Sequence, residues 1–191
     1  MNPFIQQLLS AKGLTAVSYA TWNPSDKNAG IVLSGGNLDV TNIAASVSVR
    51  ATIGKTAGKC YWEILKTTGG ESNFGIGTAS ASLSTWLGGD ASGISYDSSD
   101  GKLYKNGVAV STGGSTYGDT ARIGIALDQD AGTIRFYLSN VLQYTYTHGL
   151  TGIIYPMVGD FAGPGLKSTA NFGATALTYT PPAGYSPGIY I

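Results

Sequence analysis

The chain has few charged residues for its length. Lysine, arginine, aspartate and glutamate together make up 12% of its 191 residues, about half of the ~25% that is usual in soluble domains. Eleven basic and eleven acidic residues give a formal net charge of zero. The sequence therefore builds no basic field that would attract nucleic acid or an anionic membrane, and we predict neither as a partner.

Residues that commonly carry chemistry are also scarce. Cys60 is the single cysteine and His148 the single histidine, which excludes an intrachain disulfide and a pair of histidine metal ligands. The neighbours of Cys60 favour a small buried or edge position, and Gly149 favours a surface turn for His148. Asp97 and Asp100 are better explained by a turn than by a calcium loop or a glycosidase acid pair. We predict no catalytic residue, no metal and no cofactor.

Long apolar runs are missing as well. No stretch approaches the ~20 apolar residues of a membrane-spanning helix. The first residues lack a positively charged region followed by an apolar stretch, so we expect no secretory signal peptide. These observations predict no membrane span.

One helix is predicted, over residues 3–12. Phe4 with Leu8, and Ile5 with Leu9, lie four residues apart and form one apolar stripe. Either this stripe packs on the rest of its own chain, or it docks into a neighbouring protein. We treat residues 1–14 as an N-terminal helix and a candidate docking segment.

Alternating apolar residues dominate the chain after residue 14, and residues 118–140 are the clearest case. Ile123, Ile125 and Leu127 alternate with small or polar residues, as do Ile134, Phe136 and Leu138 after an Asp-rich turn. A period of two predicts two strands, each with one buried face. Ile125 and Phe136 are therefore expected to face the interior of a sandwich of two sheets.

Other segments support the same all-β architecture. Residues 17–22, 31–33, 47–53 and 59–67 are predicted strands, and the mid-strand Trp62 is predicted to anchor the core. Residues 23–26 are predicted to form a turn, residues 79–92 a long loop, and residues 176–179 a last strand. The sandwich is expected to span residues 15–183, with an irregular tail over residues 184–191.

Seven motifs occur in the order found in one known family. They are TWNPSDKNAGIVLSGGN from Thr21, GKCYWEIL from Gly58, FGIGTAS from Phe74, SGISYDSSDGKLYKNGV from Ser92, the hairpin of residues 118–140, YPMVGDF from Tyr155 and STANFG from Ser168. In this respect the chain resembles the SPRY family over residues 20–182. It is most similar to the Gly-rich SPRY domains of bacteria and their phages.

The resemblance implies a bent antiparallel β-sandwich of the concanavalin-like class, which binds ligands through its loops and has no catalytic residues. Its ligand-contacting loops correspond here to Trp86 and Leu87 in one loop and Phe161 in another, with Asp160 and Pro164 as neighbours. The alternative is that these side chains only plug the end of the sandwich.

We expect a non-enzymatic binding or structural module, best placed in a phage virion as a tail or surface-decoration protein. Its partners would be virion subunits, or a protein or glycan on the host surface. Outside a virion, a cytoplasmic location is expected. A lectin-like carbohydrate-binding module is the first alternative, since aromatic faces stack on sugars. A glycan-acting enzyme is the second and is disfavoured, because no catalytic constellation is present.

Overall fold

The structure, a computed structural model, describes residues 16–191. The predicted helix, with its stripe of Phe4, Ile5, Leu8 and Leu9, lies outside these residues. The regular elements of the described range are strands: β1 (Trp22–Lys27), β2 (Ile31–Ser34), β3 (Asp39–Asn42), β4 (Val47–Ala51), β5 (Lys59–Thr68), β6 (Asn73–Gly77), β7 (Gly93–Asp97), β8 (Leu103–Lys105), β9 (Val108–Ser111), β10 (Arg122–Asp128), β11 (Thr133–Leu138), β12 (Val141–Thr147), β13 (Tyr155–Asp160), β14 (Lys167–Asn171) and β15 (Ser186–Pro187).

The strands form two sheets packed face to face. One sheet has seven strands in the order β1-β4-β13-β6-β7-β8-β9. The other has eight, in the order β12-β11-β10-β5-β14-β3-β2, with the short β15 beside β5. The pairings are antiparallel apart from that of β15, which runs parallel to β5. The predicted all-β antiparallel sandwich is confirmed.

The core lies between the inner faces of the two sheets, where the alternating apolar side chains meet. Trp62 of β5 is fully buried, which confirms it as a core anchor. In the central hairpin Ile125 pairs with Phe136, and both are fully buried as predicted. Ser139 and Asn140, at the next turn, both take positive φ (47° and 69°), which is the geometry of a tight type I′ hairpin.

The predicted turn over residues 23–26 is wrong, because these residues belong to β1. This strand is at the edge of its sheet, and its pairing with β4 is irregular between Trp22 and Lys27. Pro24 is tolerated there, since an edge strand does not need every backbone N–H for pairing. Strand β3 was not predicted, and its four residues DVTN have too short an alternation to stand out.

The last strand predicted, over residues 176–179, is also wrong. This segment crosses the outer face of the eight-stranded sheet instead. The buried Glu63 of β5 holds it there, since its carboxylate accepts the backbone N–H groups of Thr178 (2.9 Å) and Tyr179 (2.7 Å). Leu177 packs against Tyr61 on the same face.

The C-terminal residues are more ordered than the irregular tail we predicted. Strand β15 pairs Ser186 with Cys60, and Ile189 is fully buried. Tyr190 then forms an isolated bridge with Tyr19, close to the start of the described range. Residues 184–191 therefore add a short strand beside β5 and contribute Ile189 to the main core.

The two residues with reactive side chains are both buried. Cys60 is 1% exposed, as expected, and burial raises the pKa of its thiol to about 12. The surface turn predicted for His148 is wrong, because this residue is 2% exposed. Burial, together with the nearby Lys105, lowers the pKa of His148, so the imidazole is a neutral structural group at pH 7. In residues 16–191 no helix is long and apolar enough to cross a membrane.

Candidate ligand-binding cleft

Residues 79–92, here called the cover loop, lie across the outer face of the seven-stranded sheet. Two outward-facing serines hold the loop through its backbone. The Ser48 hydroxyl of β4 donates to the carbonyl of Thr85 (2.7 Å), and the Ser95 hydroxyl of β7 donates to that of Leu87 (2.6 Å). Trp86 lies between these two anchored residues, so its backbone is fixed from both sides.

Glycines in the sheet allow the cover loop to come this close. A Cβ atom on Gly159 of β13 would lie 2.6 Å from the backbone nitrogen of Leu87, and one on Gly93 of β7 would lie 2.8 Å from the Leu87 side chain. Both distances are shorter than real contacts of a Cβ atom. A larger residue at Gly159 would push the loop backbone, and Trp86 with it, away from the sheet, whereas one at Gly93 would first displace the Leu87 side chain.

Three aromatic side chains from three separate segments meet beside the cover loop. The ring of Trp86 is 5.3 Å from that of Tyr104 on β8 and 5.3 Å from that of Phe161, which follows β13. Both pairs are edge-to-face, the arrangement that aromatic quadrupoles favour. We call Trp86, Tyr104 and Phe161 the aromatic triad. Phe161 is 50% exposed.

The aromatic triad lines a cleft of about 500 Å³. Two acidic residues, Glu71 and Asp97, line the same cleft, and we call them the carboxyl wall. Four donors position the Asp97 carboxylate: the Asn73 amide (2.7 Å), the backbone N–H and hydroxyl of Ser99 (2.7 Å each) and the backbone N–H of Asp100 (3.4 Å). Ser99 and Gly107 complete the lining.

The electrostatics of the cleft are dominated by carboxyl groups. Burial, a hydrogen bond with Asp97 and the negative charge of Asp97 raise the pKa of Glu71 to about 8, with smaller contributions from Asp160 and Asp100. At pH 7 the Glu71 side chain is therefore protonated, because its buried carboxylate would be repelled by the neighbouring Asp97 carboxylate.

Asp100 is held differently, at the edge of this group. Burial alone would raise its pKa, but hydrogen bonds from Lys102 and from the Tyr104 hydroxyl (2.7 Å) lower it. Lys102 also forms a salt bridge with Asp100 (2.8 Å). Tyr104 of the aromatic triad is thus oriented by a carboxylate that already has a cationic partner.

Of the five residues predicted to contact ligand, two line the cleft and three do not. Trp86 and Phe161 both line the cleft. Leu87 does not, because it is 2% exposed and packs with Ala81 and Met157 between the cover loop and the sheet. Asp160 is fully buried and accepts the backbone N–H of Gly163 (3.1 Å), while Pro164 is exposed outside the cleft lining. A binding role for these five residues stays a prediction.

Five lining residues were not predicted to contact ligand: Glu71, Asp97, Ser99, Tyr104 and Gly107. Asp97 was assigned to a turn, and it does accept the backbone N–H of Ser99 there. The alternation of β8 already places Tyr104 opposite the buried Leu103, on the outer face of the sheet. Glu71 carries no such signal, since it precedes β6 in an irregular segment.

The two acidic residues of the cleft act directly on each other, since Asp97 is among the causes that raise the pKa of Glu71. In a retaining or inverting glycosidase the two carboxyl groups instead stand about 5 Å or more apart to flank the substrate. Within residues 16–191, no group of three or more His, Cys, Asp or Glu side chains is arranged to hold a metal ion.

Comparison with known proteins identifies the family. The model described as SPRY domain matches residues 59–175, which is more than half of the chain. SPRY domains are generally protein-interaction modules and typically have no catalytic activity. No curated protein matches the chain.

Solved structures with the same fold include the SPRY domain of human HERC1, at TM-score 0.67 and 18% identity over 78% of this chain and 96% of that one. The PSpry domain of TRIM65 matches with TM-score 0.66 and 18% identity over 88% of this chain and 98% of its own. Stonustoxin matches with TM-score 0.65 and 19% identity over 81% of this chain, but over only 27% of its own. At these identities the structures show the shared fold alone. With its two-sheet sandwich and the family match over residues 59–175, the chain belongs to the SPRY family.

Proposed function

We propose that the chain is a non-catalytic binding module that recognises a protein partner through the cleft beside the cover loop. The observation that carries this proposal is the aromatic triad, in which three separate segments bring rings together at a concave surface. Phe161 leaves half of its surface in water. Exposed aromatic side chains in a pocket are typical of binding hot spots.

The rim of the cleft favours a protein as the ligand. Gly107 lines the cleft, and the next residue, Val108, is 59% exposed at the start of β9. Strand β9 is at the edge of the seven-stranded sheet, and an edge strand offers free backbone groups to an extended segment of a partner. A loop lying along β9 would reach the cleft with a neighbouring side chain.

We further propose that the protein acts as a phage virion accessory, as a tail or surface-decoration component that recognises a virion subunit or a host-surface protein. Three sequence features support this setting: the Gly-rich motifs similar to phage-type SPRY domains, the low charge, and the apolar stripe of Phe4, Ile5, Leu8 and Leu9. Residues 1–14 would then be the docking segment, residues 15–183 the sandwich and residues 184–191 its C-terminal tail.

A carbohydrate-binding module is the alternative. Aromatic rings beside carboxyl oxygens also suit a saccharide, because rings stack on sugar faces and carboxylates accept hydrogen bonds from hydroxyl groups. The exposed apolar residue Val108 beside the cleft favours the protein ligand over this alternative.

The binding proposal is tested by selecting displayed random peptides against the purified chain, in parallel with a glycan array. We expect peptides whose affinity falls by roughly 30-fold or more, or about 2 kcal/mol, in Trp86→Ala or Phe161→Ala. The matched control is Val141→Ala, which shortens a 62% exposed apolar side chain on β12 of the other sheet. This control should leave affinity unchanged.

Melting temperatures of the same variants separate binding from packing. If the aromatic triad only plugs the sandwich, both alanine variants will melt at lower temperature without a separate binding defect, which contradicts the proposal. If the chain binds glycans on the array but selects no peptide, the carbohydrate-binding alternative is favoured. The virion setting is tested by mass spectrometry of purified particles, and absence of the chain from them would contradict it.

A further inference from the structure

The cleft is lined by two carboxyl groups for which the described residues supply no cationic partner. These are Glu71 and Asp97, and Asp160 and Asp100 lie near enough to contribute to the raised pKa of Glu71. The Asp97 carboxylate gives the cleft a negative charge, and Glu71 adds a second when it loses its proton. Of these four residues, Asp100 has a cationic partner in Lys102. Within residues 16–191, the salt bridges include no partner for Glu71, Asp97 or Asp160. An anionic ligand would be repelled from this site, and a cation would be attracted.

The aromatic residues of the cleft also suit a cation. The aromatic triad lines the same cleft as Glu71 and Asp97, and aromatic faces attract cations through their quadrupole. Among protein side chains, the arginine guanidinium suits both kinds of group. It is planar enough to stack on a ring and presents several N–H donors to carboxylate oxygens.

We propose that the cleft binds a basic side chain, best an arginine, which a protein partner inserts beside the aromatic triad and the carboxyl wall. This inference rests on the proposed function, in that it names the chemistry of the partner at the same cleft. It adds a direction of specificity, because the cleft would select against neutral and acidic residues at the inserted position.

The proton on the carboxyl wall gives this inference a measurable consequence. In the free protein, burial and Asp97 raise the pKa of Glu71 to about 8. The groups that face Glu71 include Asp97, Asp100, Asp160 and Tyr104, and Lys102 is already engaged by Asp100. A bound guanidinium favours the ionised form of Glu71, so binding releases its proton. Affinity should therefore rise with pH up to about pH 8 and then level off.

The test uses Nα-acetyl-arginine amide and its neutral isostere Nα-acetyl-citrulline amide as probes, followed by nuclear magnetic resonance. The three tryptophans of the chain provide built-in reporters. Trp86 lines the cleft, whereas Trp22 and Trp62 are fully buried in the core. We expect the arginine probe to shift the Trp86 indole N–H signal alone, with at least about tenfold higher affinity than the citrulline probe.

Two variants test the role of the carboxyl wall. Glu71→Gln mimics the protonated side chain, so it should weaken arginine binding about fivefold at pH 8.5 and remove the dependence on pH. Asp130→Asn is the matched control, since it removes one negative charge from an exposed turn between β10 and β11. This control should bind the arginine probe as the wild type does at every pH.

The outcomes separate this inference from the proposed function. Equal shifts with the arginine and citrulline probes, or an unchanged pH profile in Glu71→Gln, would overturn the basic-side-chain inference. Peptides selected against the chain provide the second measurement. If they depend on Trp86 and Phe161 but contain no enriched arginine or lysine, the inference fails while the proposed function stands. If no selected peptide depends on the aromatic triad, the proposed function itself fails.

Discussion

Phe136 occupies the centre of the sandwich and is the most direct test of how the fold is held together. It is fully buried on β11, where it pairs with Ile125 of β10 on one side and Tyr144 of β12 on the other. From the opposite sheet, the ring of Tyr96 lies 5.7 Å from its own. Phe136→Ala would therefore remove contacts within one sheet and between both sheets.

The expected cost follows from this environment. Replacing a fully buried phenylalanine by alanine typically costs about 3–5 kcal/mol, since the removed ring leaves a cavity that its neighbours fill only in part. The aromatic contact with Tyr96 contributes roughly 0.5–1.5 kcal/mol of such a loss. Domains of ordinary stability unfold at a cost of about 5–15 kcal/mol, so the variant should lose a large part of its stability. For a chain of this size the melting temperature should fall by roughly 6–20 °C.

Denaturant unfolding at 25 °C provides the measurement, with the midpoint and the slope determined together. The control is Leu142→Ala on the neighbouring β12, where the side chain is 51% exposed and its loss should cost less than about 0.5 kcal/mol. A midpoint for Phe136→Ala equal to that of the wild type, or of Leu142→Ala, would refute the assignment of Phe136 to the core.

Two further predictions concern the ends of the chain. Glu63→Gln should lower the free energy of unfolding by about 2–3 kcal/mol, because a neutral amide replaces the carboxylate that accepts the N–H groups of Thr178 and Tyr179. Hydrogen exchange should then accelerate at these two amides but not at Ile125, and unchanged exchange would contradict the anchoring role. Removal of residues 1–13 should leave a sandwich with normal melting that no longer incorporates into its assembly, if the apolar stripe docks into a partner. A lower melting temperature would indicate packing on the same chain, and normal melting with full incorporation would exclude both.

The strands with strict alternation could be predicted from the sequence. Residues 118–140 gave the correct hairpin with Ile125 and Phe136 inside, because a buried face repeats every second residue over six positions or more. The same reasoning failed where other forces decide. Residues 23–26 looked like a turn because they contain Asn, Pro, Ser and Asp. They lie within the edge strand β1 as an irregularity between Trp22 and Lys27, the two residues that pair with β4.

The C-terminal residues show a second kind of failure. Residues 176–179 have apolar and β-branched side chains and were predicted to be a strand, yet the anchor of this segment is a carboxylate more than 110 positions earlier in the chain, at Glu63. His148 was assigned to the surface from its neighbour Gly149, although it is buried. Neither the Glu63 anchor nor the burial of His148 leaves a local signal in the sequence, since both depend on which strands become neighbours.

The cleft illustrates why some residues of a candidate site can be predicted from the sequence and others cannot. Trp86 and Phe161 could be singled out because large aromatic residues in loops are expensive to expose to water. The carboxyl wall had no comparable signal, because the pKa of Glu71 is raised only once folding buries it beside Asp97, the last residue of β7.

The two sheets also differ in how their outer faces are covered, and this difference creates the cleft. Over the eight-stranded sheet, Leu177 and Tyr185 from the C-terminal residues pack in a cluster with Tyr61 and Ala126. Over the seven-stranded sheet, the cover loop packs through Leu87 against Met157. Beside Trp86 a cleft remains, which is lined by Tyr104, the half-exposed Phe161 and the largely buried Asp97. A ligand at this site would complete the cover that the chain leaves unfinished, which is why binding is expected here rather than on the opposite face.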